Sequence, residues 1–371
     1  MSNVGKTPVT IITGCLGAGK TTLGACELVR AMRALVDVLA FVPDDLFSSA
    51  RAVNHILKAK RGKRIAIIEH EFGEIGVDEF GEIGVDDGLV LATRDEILEM
   101  NNGCVCCTIR QDIVRILGKL RRRKEVFEHV IIETAGSADP APAAQTFFAN
   151  DELKEWLYLD AIITVVDSKN LGEHVDEMKA RCSENESVKQ VAFADRIVLN
   201  KTDLVTDAEK DNLVNRIRGI NHHATIIESI QSRVDIDDIV GIRAFNLSTN
   251  VRMDDAVLVK SAHQRDGTVK SVGFELASAL DLDKVNQWLI NLLRNKGQDI
   301  FRSKGILSLG RSEDRYAFQS MHMMMEMASS ADGDLDGWTE SEERACRVVF
   351  IGRNLDRDEL EAGLKACVFN P

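Results

Sequence analysis

The sequence Thr10-Ile11-Ile12-Thr13-Gly14-Cys15-Leu16-Gly17-Ala18-Gly19-Lys20-Thr21-Thr22 decides how the first part of the chain is expected to fold. It contains a glycine, four spacer residues and then Gly-Lys-Thr, and the apolar run at residues 9–12 predicts the strand that precedes such a phosphate-binding loop. The alternative, a chance glycine-rich turn before a helix, is disfavoured by this context. Lys20 is expected to reach the β- and γ-phosphates, and the Thr21 hydroxyl is expected to ligate Mg²⁺. The residues expected to contact nucleotide here are Gly14, Gly17, Ala18, Gly19, Lys20, Thr21 and Thr22.

Length, charge and apolar content narrow the class of protein. The 371 residues suit two domains, and a formal net charge of -13 argues against nucleic acid or an anionic membrane surface as a partner. Residues 1–10 lack the apolar core of a signal peptide, and no apolar run approaches the roughly 20 residues that cross a bilayer. We therefore expect a cytoplasmic protein with no nucleic-acid or membrane partner.

Continuous apolar runs alternate with helical patterns over the first 250 residues, which is typical of a parallel sheet covered on both faces. After the first strand, further strands are predicted at residues 64–68, 130–133, 161–166, 196–199 and 224–227. Helices are predicted at residues 20–41, 48–60, 108–124, 207–219 and 234–242. The pattern predicts an α/β domain of the P-loop NTPase type, with a doubly wound, mostly parallel sheet.

Acidic residues at two places are candidate Mg²⁺ ligands. The strand from residue 130 ends at Glu133, where a carboxylate can hold Mg²⁺ or its water, and Gly136 would let a backbone N–H approach the γ-phosphate. The octapeptide at residues 71–78 recurs without change at 79–86, which we interpret as a local duplication in a loop. Its acidic residues, Glu71 among them, could serve Mg²⁺ or could form a solvated acidic loop.

Asn200-Lys201-Thr202-Asp203 follows a predicted strand and indicates a preference for guanine. A carboxylate at Asp203 can accept from the guanine N1–H and its exocyclic amine together, which adenine cannot offer. Asn200 can meet the other edge of the base, and the stem of Lys201 can lie over the ring. The competing interpretation is an ordinary capping aspartate in a surface turn.

Three of the eight cysteines lie in Cys104-Val105-Cys106-Cys107, between the acidic loop and the Glu133 strand. Thiolates favour Zn²⁺ and related ions, and a closed structural zinc site normally has four protein ligands. Cys104, Cys106 and Cys107 supply three, so we expect a site that is easier to empty than a closed one. The alternative is a group of buried, inert cysteines.

The remainder of the chain predicts a second, smaller α+β domain. Strands are predicted at residues 269–276, 316–325 and 347–351, and helices at 284–293 and 358–367. The polar stretch 246–255 is the candidate boundary. We therefore assign residues 1–250 to the nucleotide domain and 256–371 to the second domain.

With these motifs in place, the chain resembles the cobalamin-synthesis-W-like family of P-loop GTPases. Within that family it is similar to the eukaryotic zinc-regulated GTPase metalloprotein activators. The resemblance rests on the phosphate loop, the cysteine motif, Glu71-Phe72-Gly73-Glu74, Glu133-Thr134-Ala135-Gly136-Ser137-Ala138-Asp139-Pro140 and Asn200-Lys201-Thr202-Asp203. In the second domain it rests on Arg302-Ser303-Lys304-Gly305 and Val349-Phe350-Ile351-Gly352.

The resemblance implies a GTP-hydrolysing metallochaperone that uses GTP, Mg²⁺ and Zn²⁺ and loads zinc into client metalloenzymes. Methionine aminopeptidase is the client class known for the eukaryotic members. Two alternatives remain open, which are a GTPase that delivers cobalt in corrin synthesis and a zinc-sensing or zinc-buffering protein without productive turnover. In the family the phosphate-loop helix runs on directly into a segment like residues 54–57, so we interpret residues 24–52 as an insertion.

Overall fold

Two β-sheets organise the part of the chain that the computed structural model describes. The described residues are 5–14, 18, 65–69, 90–92, 105–122, 127–134, 138–169, 186–245, 269–332, 335–339 and 342–370. No helix within these ranges combines the length and the apolar character needed to cross a membrane. The helices predicted at 20–41 and 48–60 lie outside the described residues.

The first sheet has seven parallel strands in the order β3-β2-β4-β1-β5-β6-β7. The strands are β1 (Thr7–Gly14), β2 (Ile65–Glu69), β3 (Val90–Ala92), β4 (His129–Glu133), β5 (Leu157–Asp167), β6 (Arg196–Asn200) and β7 (Thr225–Glu228). Buried side chains run almost without interruption along β1, β4, β5 and β6, as expected for a parallel sheet covered on both faces. The predicted α/β class is confirmed.

Five helices of this domain are described: α1 (Val105–Arg121), α2 (Ala141–Ala149), α3 (Asp151–Lys154), α4 (Glu186–Phe193) and α5 (Asp207–Ile220). The helix predicted to begin at residue 108 begins at Val105, so it includes two of the cysteines. The helix predicted at 234–242 is wrong, because only one 3-10 turn forms, at Ile236–Asp238. The buried Asp160 carboxylate accepts from the backbone N–H groups of residues 241, 242 and 243, at 2.9, 3.0 and 2.8 Å, and holds that backbone outside a helix.

The second sheet is antiparallel, in the order β11-β10-β9-β12-β8. Its elements are β8 (Lys270–Leu276), α6 (Leu282–Lys296), β9 (Ile300–Ser308), β10 (Arg315–Met321), β11 (Met324–Ser329), β12 (Cys346–Gly352) and α7 (Arg357–Ala366). Both helices contribute to the apolar core on one face of this sheet. The α+β prediction is confirmed, but β9 was missed, and the single strand predicted at 316–325 is the hairpin of β10 and β11.

The opposite face of the second sheet packs on the first domain. Phe301, Met321 and Ile351 belong to the same buried cluster as Phe193 and Phe245 of the first domain. The interface also contains a buried ion pair between Arg302 and Asp195, whose side chains are both 4% exposed. These contacts fasten the loop between α4 and β6, and therefore the start of β6, to the second domain.

Candidate nucleotide site

The carboxyl ends of the parallel strands bring the predicted site residues to one edge of the sheet. β1 ends at Gly14, β4 at Glu133, β5 at Asp167 and β6 at Asn200. Ligands of open α/β sheets bind outside this edge, in the crevice beyond the carboxyl ends of the strands. The strand order therefore places the phosphate-loop strand β1 between β4, which ends at Glu133, and β5, and β6 with the base-binding motif lies next to β5.

Gly14 begins the phosphate loop at a position that requires glycine. Its φ is +147°, and a Cβ there would lie 2.2 Å from the backbone oxygen of Val165 on β5. Any side chain would therefore push β1 and β5 apart where the loop leaves the sheet. Ala18, four residues further on, is fully buried. The remaining predicted loop contacts, Gly17, Gly19, Lys20, Thr21 and Thr22, lie outside the described residues.

Asn200 joins three segments that meet at this edge. Its side-chain amide donates to the backbone oxygen of Ala18 at 2.9 Å and to the Ser232 hydroxyl at 2.8 Å, and its carbonyl accepts from Ser232 N–H at 2.7 Å. The residue is 2% exposed. Both amide hydrogens are thus donated within the protein, which gives Asn200 a role that the sequence reasoning missed. Its contact with a base stays a prediction.

Asp203 is presented to solvent beside this buried asparagine. It lies in the 3-10 turn Thr202–Leu204, is exposed, and forms no hydrogen bond with another described residue. Leu204 is 54% exposed, and Ile230, in the loop after β7, is 48% exposed. Thr202 joins the two loops by donating from its backbone N–H to Ser229 O at 3.3 Å. In such an arrangement the carboxylate can accept from paired N–H groups of a flat ring, and the exposed apolar side chains can pack against the ring.

Lys201 has a backbone conformation that residues with a side chain rarely adopt. Its φ and ψ are 62° and 34°, in the left-handed region. The ammonium group donates to the Asp167 carboxylate at 2.6 Å, where the lysine side chain is 32% and the aspartate side chain 4% exposed. The ammonium end of the lysine side chain is therefore held at β5, and the side chain is partly exposed in the loop that carries Asp203.

Glu133 ends β4 in register with Ile12 on β1 and Glu69 on β2. The adjoining backbone is tied to β1, because Thr134 N–H donates to Ile12 O at 2.9 Å. A strand-end carboxylate beside the phosphate-loop strand is a suitable oxygen ligand for a hard divalent cation. Gly136 and Glu71, the other residues assigned to this region, lie outside the described residues.

The segment beyond Gly136 is held by α4. Gln190 donates to the backbone oxygen of Ala138 at 3.1 Å, and the Lys189 ammonium donates to the Asp139 carboxylate at 3.2 Å. The same helix ends at Phe193, in the interface with the second domain. One helix therefore contacts both the segment after Gly136 and the second domain.

The cysteine motif lies at the start of α1. Cys106 and Cys107 occupy its first turn, and Cys104 lies outside the described residues. Within the described ranges, no three His, Cys, Asp or Glu residues are grouped so that they could hold a metal ion. Cys346 and Cys367 are buried in the second domain, where burial raises the pKa of the Cys346 thiol to about 11 and makes it a poor metal ligand near neutral pH.

The glycine loop after β1 and the polar loops at the ends of β4, β5 and β6 define a P-loop nucleotide-binding domain, which is joined here to an antiparallel α+β domain. A family model described as CobW/HypB/UreG, nucleotide-binding domain, matches residues 50–228, and one described as cobalamin synthesis protein cobW C-terminal domain matches residues 269–368. The chain belongs to the CobW/HypB/UreG family. The first match begins at residue 50, so the phosphate loop lies outside it.

Curated relatives match nearly the whole chain. The zinc chaperone YjiA of Escherichia coli K12 is 30% identical over 358 residues, which cover 95% of this chain and 96% of the relative. The zinc-regulated GTPase metalloprotein activator 1 of Schizosaccharomyces pombe is 28% identical, over 96% of this chain and 84% of its own length. The crystal structure of Zn(II)-bound YjiA GTPase from E. coli superposes with a TM-score of 0.66, at 26% identity, over 98% of this chain and 99% of that one. The family resemblance inferred from the motifs is confirmed.

Proposed function

We propose that this protein is a GTP-hydrolysing metallochaperone that binds zinc through Cys104, Cys106 and Cys107 and transfers it to client metalloenzymes. The observation that carries the proposal is the geometry of residues 200–203, which we call the base loop. In it, buried Asn200 is bonded to Ala18 of the phosphate loop, while the Asp203 carboxylate is exposed. Relatives named as zinc chaperones and as zinc-regulated GTPase activators support the same conclusion.

The choice of guanine is assigned to Asp203. Its exposed carboxylate accepts from the guanine N1–H and exocyclic amine, whereas adenine presents an acceptor at N1 and leaves the carboxylate unpaired. A site built to pair a polar group rejects an analogue that lacks it by a factor on the order of 10⁴. The hydrogen bond from Asn200 to Ala18 O ties this loop to the phosphate loop, so one nucleotide would contact both loops.

Phosphate binding and turnover are assigned to the loop and to the Glu133 strand. Lys20 binds the β- and γ-phosphates, while Thr21, Glu133 and Glu71 supply oxygen ligands for Mg²⁺, whose chemistry is to neutralise charge that develops on the phosphates. Gly136 lets a backbone N–H approach the γ-phosphate. Glu133 lies on the strand that pairs directly with the phosphate-loop strand, and this position suits the assignment.

Zinc is the cargo in this proposal. The first turn of α1, which contains Cys106 and Cys107, is a favourable place for thiolates, because a helix N-terminus stabilises negative charge and lowers a thiol pKa. With three sulfur ligands the fourth position is left to water, another side chain or the client. Methionine aminopeptidase is the client we would test first, on the strength of the similarity to the zinc-regulated GTPase activators.

The domain limits are part of the proposal. Residues 1–250 form the GTPase domain, residues 256–371 form the second domain, and residues 24–52 are an insertion between the phosphate loop and the rest of the domain. The beginning of the first family match at residue 50 supports the insertion. A tryptic peptide that joins residue 23 to residue 53 in the isolated protein would show that a form without the insertion exists, whereas peptides of the long form alone would count against it.

One experiment separates this function from its competitors. Nucleotide turnover is measured with GTP and with ATP, each without metal, with Zn²⁺ and with Co²⁺, on the unmutated protein and on Asp203→Ala. The proposal requires GTP turnover that responds to zinc, and a preference over ATP that Asp203→Ala removes. Metal binding without turnover would indicate a sensor or buffer, and a response to Co²⁺ alone would indicate cobalt delivery.

A further inference from the structure

The base loop depends on three consecutive residues at the end of β5. Ser168 donates from its backbone N–H and its hydroxyl to the backbone oxygen of Asn200, at 3.0 and 2.6 Å. Asp167, in register with Asn200 on the next strand, accepts from the Lys201 ammonium at 2.6 Å and from Lys169 N–H at 2.9 Å. These bonds hold both the backbone and the lysine side chain of the loop.

Asp167 is well suited to hold a lysine in place. It is 4% exposed and is the last residue of a central strand, so its carboxylate is fixed before any ligand arrives. Its two oxygens accept from different partners, one from Lys169 N–H and the other from the Lys201 ammonium, which restricts rotation of the carboxylate. A buried carboxylate requires a cation or several donors, and Lys201 supplies a cation here.

Lys201 would not keep its arrangement without this partner. Its left-handed backbone is disfavoured for any residue with a Cβ, and a lysine side chain is among the most costly to order. The Asp167 carboxylate restrains the far end of the side chain, and the bond from Leu204 N–H to Lys201 O, at 3.0 Å, restrains its backbone. The side chain held between these two points is 32% exposed, in the loop that carries Asp203.

We propose that Asp167 is a positioning residue for nucleotide binding, which holds the stem of Lys201 as a preformed wall for the purine ring. The inference rests on the function proposed above and extends it to a residue outside the motif. Asp167 then contributes to affinity for any purine nucleotide, because the ordering of the lysine is complete before the base binds. It does not contribute to the choice between guanine and adenine, which is assigned to Asp203.

The test compares nucleotides with a ligand that has no base. Dissociation constants for GTP, ATP and inorganic tripolyphosphate are measured by calorimetry on the unmutated protein, Asp167→Asn and Lys201→Met. Asp167→Asn keeps the shape of the side chain and an acceptor for Lys169 N–H, and Lys201→Met keeps an unbranched side chain without the ammonium group. Lys169→Met is the matched control, since that side chain is exposed and removing its charge leaves the Asp167–Lys201 pair intact.

The proposal predicts that Asp167→Asn and Lys201→Met each raise the dissociation constants of GTP and ATP about tenfold, by the same factor for both nucleotides. The dissociation constant of tripolyphosphate should not change. The double variant should be no weaker than either single variant, because both remove one interaction. If Asp167→Asn does not fold, Lys201→Met still tests the proposal. It should lose affinity for GTP and ATP but not for tripolyphosphate, which has no base.

Two results would overturn the inference. One is undiminished GTP affinity in folded Asp167→Asn or Lys201→Met, and the other is an equal loss for GTP and tripolyphosphate, which would indicate general damage to the site. Either leaves the proposed function standing, provided that the unmutated protein prefers GTP to ATP. If the unmutated protein has no such preference, the proposed function fails independently of the variants.

Discussion

Asn200 donates a hydrogen bond from its side-chain amide to the backbone oxygen of Ala18, over 2.9 Å and across 182 positions of the sequence. The bond joins the loop that is predicted to hold a base to the loop that is predicted to hold phosphates. Because Asn200 also exchanges two hydrogen bonds with Ser232, a single buried side chain connects the ends of β1, β6 and β7.

Asn200→Ala should therefore weaken nucleotide binding and lower stability together. It removes one hydrogen bond from the Ala18 backbone oxygen and two from Ser232, at a cost of about 1–3 kcal/mol for each buried group that this leaves unsatisfied. The matched control is Asn221→Ala, which removes another buried amide, bonded to Val191 O at 2.8 Å and Ala194 O at 2.9 Å near the opposite end of β6. The control should lose stability but keep GTP affinity, and equal affinity losses in both variants would count against a specific role for Asn200.

Thr21→Ala should lower GTP turnover by at least about 100-fold, because it removes a proposed Mg²⁺ ligand at the phosphates. Zinc binding to the cysteine motif should remain, since no cysteine is altered. Thr7→Ala is the control, because Thr7 begins β1 at the opposite edge of the sheet, where its hydroxyl donates to Phe127 O at 3.0 Å. Full turnover by Thr21→Ala in a single-turnover assay would refute the phosphate-loop assignment.

Arg302→Met should destabilise the contact between the two domains. Arg302 pairs with the buried Asp195, donates to Phe193 O at 2.7 Å and lies 4.4 Å from the centre of the Phe245 ring. Breaking a buried ion pair from one side costs about 3 kcal/mol, and Lys304 remains as a second partner of Asp195, at 3.3 Å. In scanning calorimetry we expect the unfolding temperatures of both domains to fall.

The control for this variant is Arg315→Met, which breaks a pair with Glu342 inside the second domain. It should lower the unfolding temperature of that domain alone. Adding Asp195→Asn to Arg302→Met should restore part of the lost stability, because the buried carboxylate that has lost its guanidinium partner then no longer carries a charge. Additive losses in the double variant would mean that the pair is not coupled.

Lys304 makes stability depend on pH above neutrality. Burial and the nearby Arg302 charge lower its pKa from 10.5 to about 8, against the opposing effect of Asp195. The unfolded chain then binds more protons between these values, so stability rises as pH increases from about 8 to about 10.5. The side chain is partly exposed, which reduces the effect to an order of 1–2 kcal/mol.

Lys304→Met should flatten this rise, as measured by urea unfolding at pH 8 and pH 10. The Asp195 carboxyl does not interfere in that range. Burial alone would raise its pKa, but the charges of Arg302 and Lys304 outweigh burial and hold the pKa below its usual value. A pH profile identical in the variant and the unmutated protein would contradict the role given to Lys304.

Most of the first sheet could be predicted because its strands are continuous apolar runs, a pattern that needs no knowledge of the rest of the fold. β9 could not be predicted in the same way, since its Arg302 and Lys304 interrupt the apolar pattern with charges. Their partners, Asp195 and the oxygens of Phe193 and Ala244, lie on the other domain, more than 50 residues away. β3 is only three residues long, too short for a pattern to be recognised.

The candidate site shows the same division. The motif that contains Asn200, Lys201 and Asp203 could be read from the sequence, because its residue types suit a guanine base. No pattern in the sequence indicates that the Asn200 amide is already bonded, nor that Asp167 pairs with Lys201, because both contacts depend on how neighbouring strands align. Strand register of this kind is set by the assembled sheet.

The proposed function requires that the binding of nucleotide and the binding of zinc are coupled. The segment after Gly136 leads into α2, whose Gln145 accepts a hydrogen bond from Arg110 of α1, and Cys106 and Cys107 lie at the start of α1. We therefore expect contacts made or lost at the γ-phosphate to reach the proposed metal ligands through α2. A ligand changes an equilibrium only through its different affinity for the two states, and zinc must then alter nucleotide affinity by the same factor.

The most direct test is a zinc titration against a competing chelator, run once with GDP and once with a non-hydrolysable GTP analogue. It uses the unmutated protein, Cys106→Ser to remove a proposed ligand, and Cys346→Ser as a matched control in the second domain. This coupling predicts zinc dissociation constants that differ at least about tenfold between the two nucleotides, a difference that is lost in Cys106→Ser and kept in Cys346→Ser. Equal zinc affinity with GDP and with the GTP analogue, in the unmutated protein, would contradict it.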